Sequence, residues 1–257
     1  MERGVVIDLE GRVALVTGGS RGIGRACCLL FARAGARVAV NYRRSEAAAR
    51  EVADVVRASG GEAVPLRADV ADPGEAARLV SDAARRWGRL DIVVNNAGVW
   101  TDGPIETISD ETLEQTMRTN LYGSFHVTRA AIPHLKRSPS GGRLIFISST
   151  AGQRGEAEHG HYAATKGAQI SLVKSLAPEL AAHRILVNGV APGWVDTEMS
   201  ERSFEGEGRS RIESTIPLNR VATPEEIAGA VVFLASDLAT FITGEILNVN
   251  GGAVLCG

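Results

Sequence analysis

From Arg12 onward the chain alternates short, nearly continuous apolar runs with longer amphipathic stretches. The apolar runs are Val13–Thr17, Arg37–Asn41, Ala63–Ala68, Asp91–Asn95, Arg143–Ser148, Ile185–Val190 and Glu245–Val249. Runs this short, without polar alternation, are the pattern of parallel strands covered on both faces. Between them Arg25–Ala34, Ser45–Ser59, Pro73–Trp87, Glu111–Lys136, Tyr162–Ala182 and Pro224–Ser236 space their apolar residues as helices do. Regular alternation of the two kinds predicts an α/β fold, a doubly wound sheet of about seven parallel strands with helices on both faces. No linker, repeat or low-complexity segment divides the chain, so a single domain over 1–257 is expected. The one polar, glycine-bearing break, Ser200 to Thr215, reads as a mobile lid at 198–216 or as a surface excursion.

Composition narrows the class. Apolar residues make up 44% and charged residues 23% of 257 residues, which suits a globular chain with a sizeable core. A net charge of -2 gives no electrostatic case for nucleic acid or an anionic membrane. Of three cysteines, Cys27 and Cys28 are adjacent within a predicted helix, so a disulfide framework is not expected and a reducing compartment is. The opening Met1–Asp8 carries no apolar core of signal-peptide length, and no run approaches a membrane span; the expectation is a cytoplasmic protein.

The chemistry-bearing residues cluster at the carboxyl ends of the predicted strands, where open α/β sheets bind ligands. The first strand runs into Thr17-Gly18-Gly19-Ser20-Arg21-Gly22-Ile23-Gly24 and then a helix. Glycines let such a turn tighten around a pyrophosphate, and the helix start offers amides and a positive dipole end. The second strand ends in Asn41-Tyr42-Arg43-Arg44, with no carboxylate before Glu46. An acidic side chain there would take the ribose hydroxyls of NAD, whereas arginine suits the 2′-phosphate of NADP, and Arg21 can approach from the glycine turn. NADP(H) is therefore the expected cofactor, with NAD(H) as the alternative. Asp69-Val70 ends the third strand and Asn95-Asn96-Ala97-Gly98 the fourth. Asn120 interrupts a long helical stretch in which asparagine is a poor helix former, which predicts a local kink or a bound water. The sixth strand runs into Pro192-Gly193-Trp194-Val195-Asp196-Thr197, placed to meet a nicotinamide.

Ser149 follows the fifth strand, and Tyr162 and Lys166 stand four apart on a helix, hence on one face. A free phenol titrates near pH ~10 and is a poor base at neutrality. A cation ~4 Å away, at an effective dielectric of ~20, favours the phenolate by roughly 4 kcal/mol, about three pKa units. The expectation is a phenol tuned for acid–base work.

With these residues in order, the sequence resembles the short-chain dehydrogenase/reductase family from about Leu9 to Gly252. The resemblance rests on T-G-x-x-x-G-x-G at Thr17–Gly24, N-N-A-G at Asn95–Gly98, Asn120, Ser149, Y-x-x-x-K at Tyr162–Lys166 and P-G at Pro192-Gly193. It implies a Rossmann-type fold, a homotetramer or dimer, and hydride transfer between a nicotinamide and a carbonyl or alcohol carbon. Carried over by residue, it implies Tyr162 as general acid/base and Lys166 as the group that holds the ribose and lowers the phenol pKa. Ser149 would polarise the carbonyl, and Asn120 would hold a water that links Lys166 to solvent. Asp69 and Val70 would lie near adenine, Thr197 near the nicotinamide amide. The Ile242–Glu245 and Asn250–Gly252 segments and Thr223-Pro224-Glu225-Glu226 are similar to 3-oxoacyl-[acyl-carrier-protein] reductases, and Asn41-Tyr42-Arg43 to bacterial glucose dehydrogenases. A ketone or acyl-thioester carbonyl is the implied substrate, a sugar or alcohol the alternative. A dinucleotide-sensing protein without activity is the non-enzymatic reading, which the joint presence of Ser149, Tyr162, Lys166 and Asn120 disfavours.

Other candidates have plainer readings. His159 and His161 lack a third ligand at zinc spacing and are expected to line the substrate entrance with Glu156 and Glu158 rather than hold a metal. Trp100 and Trp194 either wall the pocket or pack in the core. Lys136, Arg137, His183 and Arg184 either complement helix dipoles or dock an acidic carrier protein. The segments Thr128–Ile132 and Ala177–Ala182 hold more apolar residues than one buried stripe needs, which suggests self-association.

Overall fold

The computed structural model describes residues 7–256; Met1 to Val6, most of the stretch read for a leader, lie outside it. Seven parallel strands form one sheet in the order β3-β2-β1-β4-β5-β6-β7. In chain order these are β1 (Val13–Val16), β2 (Arg37–Tyr42), β3 (Ala63–Arg67), β4 (Ile92–Asn95), β5 (Gly142–Ile147), β6 (Ile185–Pro192) and β7 (Ile246–Val249). The helices are α1 (Gly22–Arg33), α2 (Glu46–Ala58), α3 (Pro73–Trp87), α4 (Asp110–Thr116), α5 (Gly123–Leu135), α6 (Thr150–Arg154), α7 (Gly160–Ala181), α8 (Gly208–Glu213) and α9 (Pro224–Ala235).

Period-two side-chain direction sends each strand to two cores. Ala14 and Val16 join Phe31, Val52 and Ile227 under α1, α2 and α9; Val13 and Leu15 join Leu79, Val127 and Val173 under α3, α5 and α7. Helix ends follow local chemistry. The Asp72 side chain accepts from the Glu75 amide at 2.7 Å with Pro73 in the first turn of α3, and Thr223 and Glu226 form a reciprocal capping box on α9.

Because all strands are parallel, their amino ends share one rim. There Asp91, 1% exposed, accepts from the Val13 amide at 2.9 Å, from Ser138 Oγ at 2.5 Å and from both forks of Arg89. The basic pairs Lys136-Arg137 and His183-Arg184 lie just before β5 and β6, also at this rim. The carboxyl ends form the opposite rim, and strand order reverses between β1 and β4, where an open α/β sheet leaves its binding crevice.

Three features differ from the pattern reading. The stretch Glu111–Lys136 is not one α-helix, because a π-helical turn, Met117–Tyr122, separates α4 from α5. The break Ser200–Thr215 is folded as a 3₁₀ turn, Glu201–Phe204, and α8. Ile212, Ile216 and Val221 form a small core there, with Trp194 and Phe204 packed against it. Thr128, Ala131, Ala177 and Leu180 face the interior, and the exposed large apolar side chains lie elsewhere, among them Leu113, Tyr122, Phe125, Leu238 and Phe241. Among the described residues no helix is long and apolar enough to cross a membrane.

Candidate active site

A cleft of about 770 Å³ runs along the carboxyl rim over β1 and β4, within the range of small-molecule sites. At its floor the chain turns from β1 into α1 with Gly18 at φ 61° and Gly22 at φ 52°, a left-handed backbone that favours glycine. A Cβ on Gly24 would stand 2.3 Å from the Gly18 carbonyl oxygen, so only glycine lets α1 close on the turn. Three neighbours brace it. Asn41 Oδ1 accepts from the Gly18 amide at 3.1 Å, Asn96 Nδ2 donates to the Thr17 carbonyl at 2.8 Å, and Thr17 Oγ1 accepts from the Asn96 and Ala97 amides at 2.9 and 3.0 Å. Sequence reading passed over Asn41 as a functional residue; its signal was a lone amide inside an apolar strand.

The start of α1 is open. Arg21 at the N-cap makes no side-chain capping bond, and the first turn holds no acidic residue. Arg21, Gly22 and Ile23 line the cleft, so the leading amides and the positive dipole end are available to an anion. A dinucleotide pyrophosphate fits this cradle in charge and in the room its glycines leave. Further along, Tyr42, Arg43, Asp69 and Val70 line the same cleft. Arg43 Nη1 sits 3.5 Å from Asp69 Oδ2, and Arg21 Nη1 donates to Glu198 Oε2 at 2.7 Å.

Ser149, Tyr162 and Lys166 come together at the cleft beside Ala97 and Gly98. Ser149 caps α6, a short helix that sequence reading missed, and accepts from the Ala151 amide at 3.1 Å. A Cβ on Gly152 would lie 2.5 Å from the Lys166 carbonyl carbon, so the glycine lets α6 press against α7. Lys166 is buried, and its Nζ donates to the Ile147 carbonyl at 2.7 Å and to Gln169 Oε1 at 3.3 Å.

That geometry corrects the expected tuning of the phenol. Lys166 Nζ is 5.6 Å from the Tyr162 ring centroid and is turned toward a strand carbonyl. Burial dominates both groups. It pushes the Tyr162 phenol up to about 12, with the Glu156 charge adding and a bond to Ser149 opposing, and it pulls Lys166 down to about 8.

Asn120 sits in the π turn and is fully buried. Its side chain pairs both ways with Val99, accepting from the amide at 2.8 Å and donating to the carbonyl at 2.9 Å. Its own carbonyl accepts from Gln169 Nε2 at 2.8 Å, so Gln169 joins Asn120 to Lys166 directly. Gln169 was not singled out in the sequence, although it lies three residues past Lys166 on the same helix face.

Pro192, Gly193, Val195 and Thr197 complete the wall after β6. Trp100 stacks on His159 with centroids 4.3 Å apart and planes 3° from parallel, and meets Trp194 edge-on at 5.9 Å. His159 Nε2 lies 3.0 Å from Asp102 Oδ1 without a hydrogen bond, whereas His161 Nε2, 3.4 Å from Thr101 Oγ1, braces the loop after β4. Glu198, Met199, Ser200 and Arg202 close the cleft from the other side.

A Rossmann sheet with a glycine cradle at the switch point, and a serine, tyrosine and lysine gathered beside it, defines a nicotinamide-dependent oxidoreductase that acts on CH–OH and C=O groups. The family model described as Enoyl-(Acyl carrier protein) reductase matches residues 18–254. Versicolorin reductase of Emericella nidulans is 39% identical over 95% of this chain and 96% of its own length. A 3-oxoacyl-[acyl-carrier-protein] reductase of Synechocystis is 40% identical over 96% of this chain and 98% of its own. A solved short-chain dehydrogenase/reductase of Serratia marcescens superposes with a TM-score of 0.90 at 39% identity, covering 95% of this chain and 98% of that one. The chain belongs to the short-chain dehydrogenase/reductase family.

Proposed function

We propose that this protein is an NADPH-preferring ketone reductase. The observation that carries the reading is the meeting of Ser149, Tyr162 and Lys166 at one end of a cleft whose other end is lined by Tyr42, Arg43 and Arg21. Pro192, Gly193, Val195 and Thr197 would hold the nicotinamide, which when bound would supply the hydride. Ser149 holds the substrate carbonyl and Tyr162 gives its proton to the oxygen. Lys166 faces the ribose, and Asn120 with Gln169 fixes where its ammonium lies. The segment 198–216 closes over the bound molecules. A 3-oxoacyl thioester, a cyclic ketone, or in reverse a sugar or other alcohol, meets these requirements.

The arginine pairs support a preference for the phosphorylated nucleotide. Arg21–Glu198 and Arg43–Asp69 are exposed or half-exposed pairs, and such contacts hold only ~0.2–1 kcal/mol. A charge-assisted bond to a 2′-phosphate is worth roughly 1.5–3 kcal/mol, so exchange favours the phosphate. One such bond implies a preference of at least about tenfold for NADPH over NADH in kcat/KM. Arg43→Ala should erode it mainly through the NADPH KM, and Tyr42→Asp should favour NADH. Steady-state kinetics with both cofactors is the test, and equal kcat/KM values would sink the assignment.

The reading extends to a homotetramer in the cytoplasm. Tyr122 and Phe125 expose large rings on the π turn and α5, and Leu238 and Phe241 do so after α9, which makes two separate apolar faces. Light scattering at micromolar concentration should give the mass of four chains; a monomer would remove the assignment.

A further inference from the structure

We infer that the substrate is a flat, fused-ring ketone that stacks on Trp100, so that Trp100 and Trp194 set specificity; this rests on the ketone-reductase reading. The cleft that holds Ser149 and Tyr162 is walled by two indoles. The parallel stack on His159 occupies one face of Trp100, and its Nε1 donates to Glu156 Oε2 at 3.3 Å. His159 is in turn held by the Ala157 carbonyl, 3.1 Å from its Nδ1. The indole is therefore held in place before any ligand arrives, and it lines the cleft. Trp194 stands at 87° to it and is backed by Phe204 at 6.0 Å, which makes a right-angled aromatic corner. Such a corner takes one ring by stacking and another edge-on, the two favoured aromatic geometries. A flexible acyl chain gains nothing from the fixed angle. Glu156, which lines the cleft and is half-buried, accepts hydrogen bonds and repels anions, so the fitting ring carries hydroxyl groups rather than carboxylates. A carrier protein has no basic dock among the sequence's two clusters, since both lie at the rim opposite the cleft. In the reaction the carbonyl carbon gains the nicotinamide's hydride and the oxygen gains the Tyr162 proton, giving a secondary alcohol and oxidised cofactor.

The test compares 2-tetralone, a bicyclic ketone, with an acetoacetyl thioester of N-acetylcysteamine under NADPH, and follows tryptophan fluorescence on titration with 2-naphthol in a Trp87→Phe background. The tetralone kcat/KM should exceed that of the thioester by tenfold or more, and 2-naphthol should quench the fluorescence saturably. Trp100→Ala should lower the tetralone-to-thioester ratio at least tenfold, whereas Trp100→Phe, which keeps a stacking face, should retain most of it. A thioester preference, or a ratio unmoved by Trp100→Ala in a protein that still melts cooperatively, overturns the inference and leaves the reductase standing. Reduction of neither compound overturns the reductase reading instead, and absence of 2-naphthol quenching then removes the aromatic site as well.

Discussion

Replacing Tyr162 by phenylalanine is expected to cut kcat by ~10²–10⁴-fold, the usual contribution of a positioned general acid, while dinucleotide affinity stays nearly unchanged. The change removes one oxygen and keeps the ring, so the packing of α7 against α6 and the glycine turn after β1 are undisturbed. Burial that holds the phenol near 12 keeps it protonated throughout the neutral range, ready to donate when a carbonyl is reduced. Oxidation of an alcohol needs the phenolate, so that direction should climb with pH through the alkaline range while reduction does not. Retention of more than about a tenth of the wild-type turnover would take Tyr162 out of this role.

Lys166→Met should separate stability from activity. The folded-state pKa of Lys166 is about 8, well below the ordinary lysine value, and burial is the cause. Below pH 8 both folded and unfolded chains carry the charge, and the folded one bears the full desolvation cost. As pH rises through the folded pKa the buried amine sheds its proton, and the cost is gone once the unfolded amine is neutral too. A displacement of that size corresponds to roughly 3 kcal/mol at most. Loss of the bond to the Ile147 carbonyl sets a penalty of about 1–3 kcal/mol against it, but that penalty varies little with pH. The melting temperature of the variant relative to wild type should therefore be highest below pH 8 and fall by several degrees toward pH 10. Turnover should drop by roughly 10–100-fold, since an ammonium no longer meets the ribose. A melting difference that is flat across this range would mean that Lys166 is not the strained cation its burial implies.

The sheet was legible because parallel strands buried on both faces leave unbroken apolar runs, and each predicted strand matches an observed one to within two residues at either end. The glycine turn and Tyr162–Lys166 were legible because spacing and residue type limit what each can do. Distance was not. Spacing of four puts Lys166 on the face of Tyr162, but the ammonium is drawn to the carbonyl end of β5, which only the tertiary fold places there. The irregularity expected at Asn120 is the π turn, but Gln169 escaped, because an amide on a helix reads as solvent-facing until the opposing helix is known. In the break after Ser200, three apolar residues, Phe204, Ile212 and Ile216, were too sparse to show a period, yet they suffice to fold the segment onto Trp194.

The two rims of the sheet divide the labour of the molecule. Asp91, Arg89 and Ser138 knit the amino rim, whereas the cleft and its aromatic corner belong to loops at the carboxyl rim. In a saturation-mutagenesis screen the two should sort apart, with amino-rim variants lost at the level of soluble yield and carboxyl-rim variants recovered with altered substrate range. A library confined to Trp100, Trp194 and 198–216 can thus be made large without spending the stability that the far rim supplies.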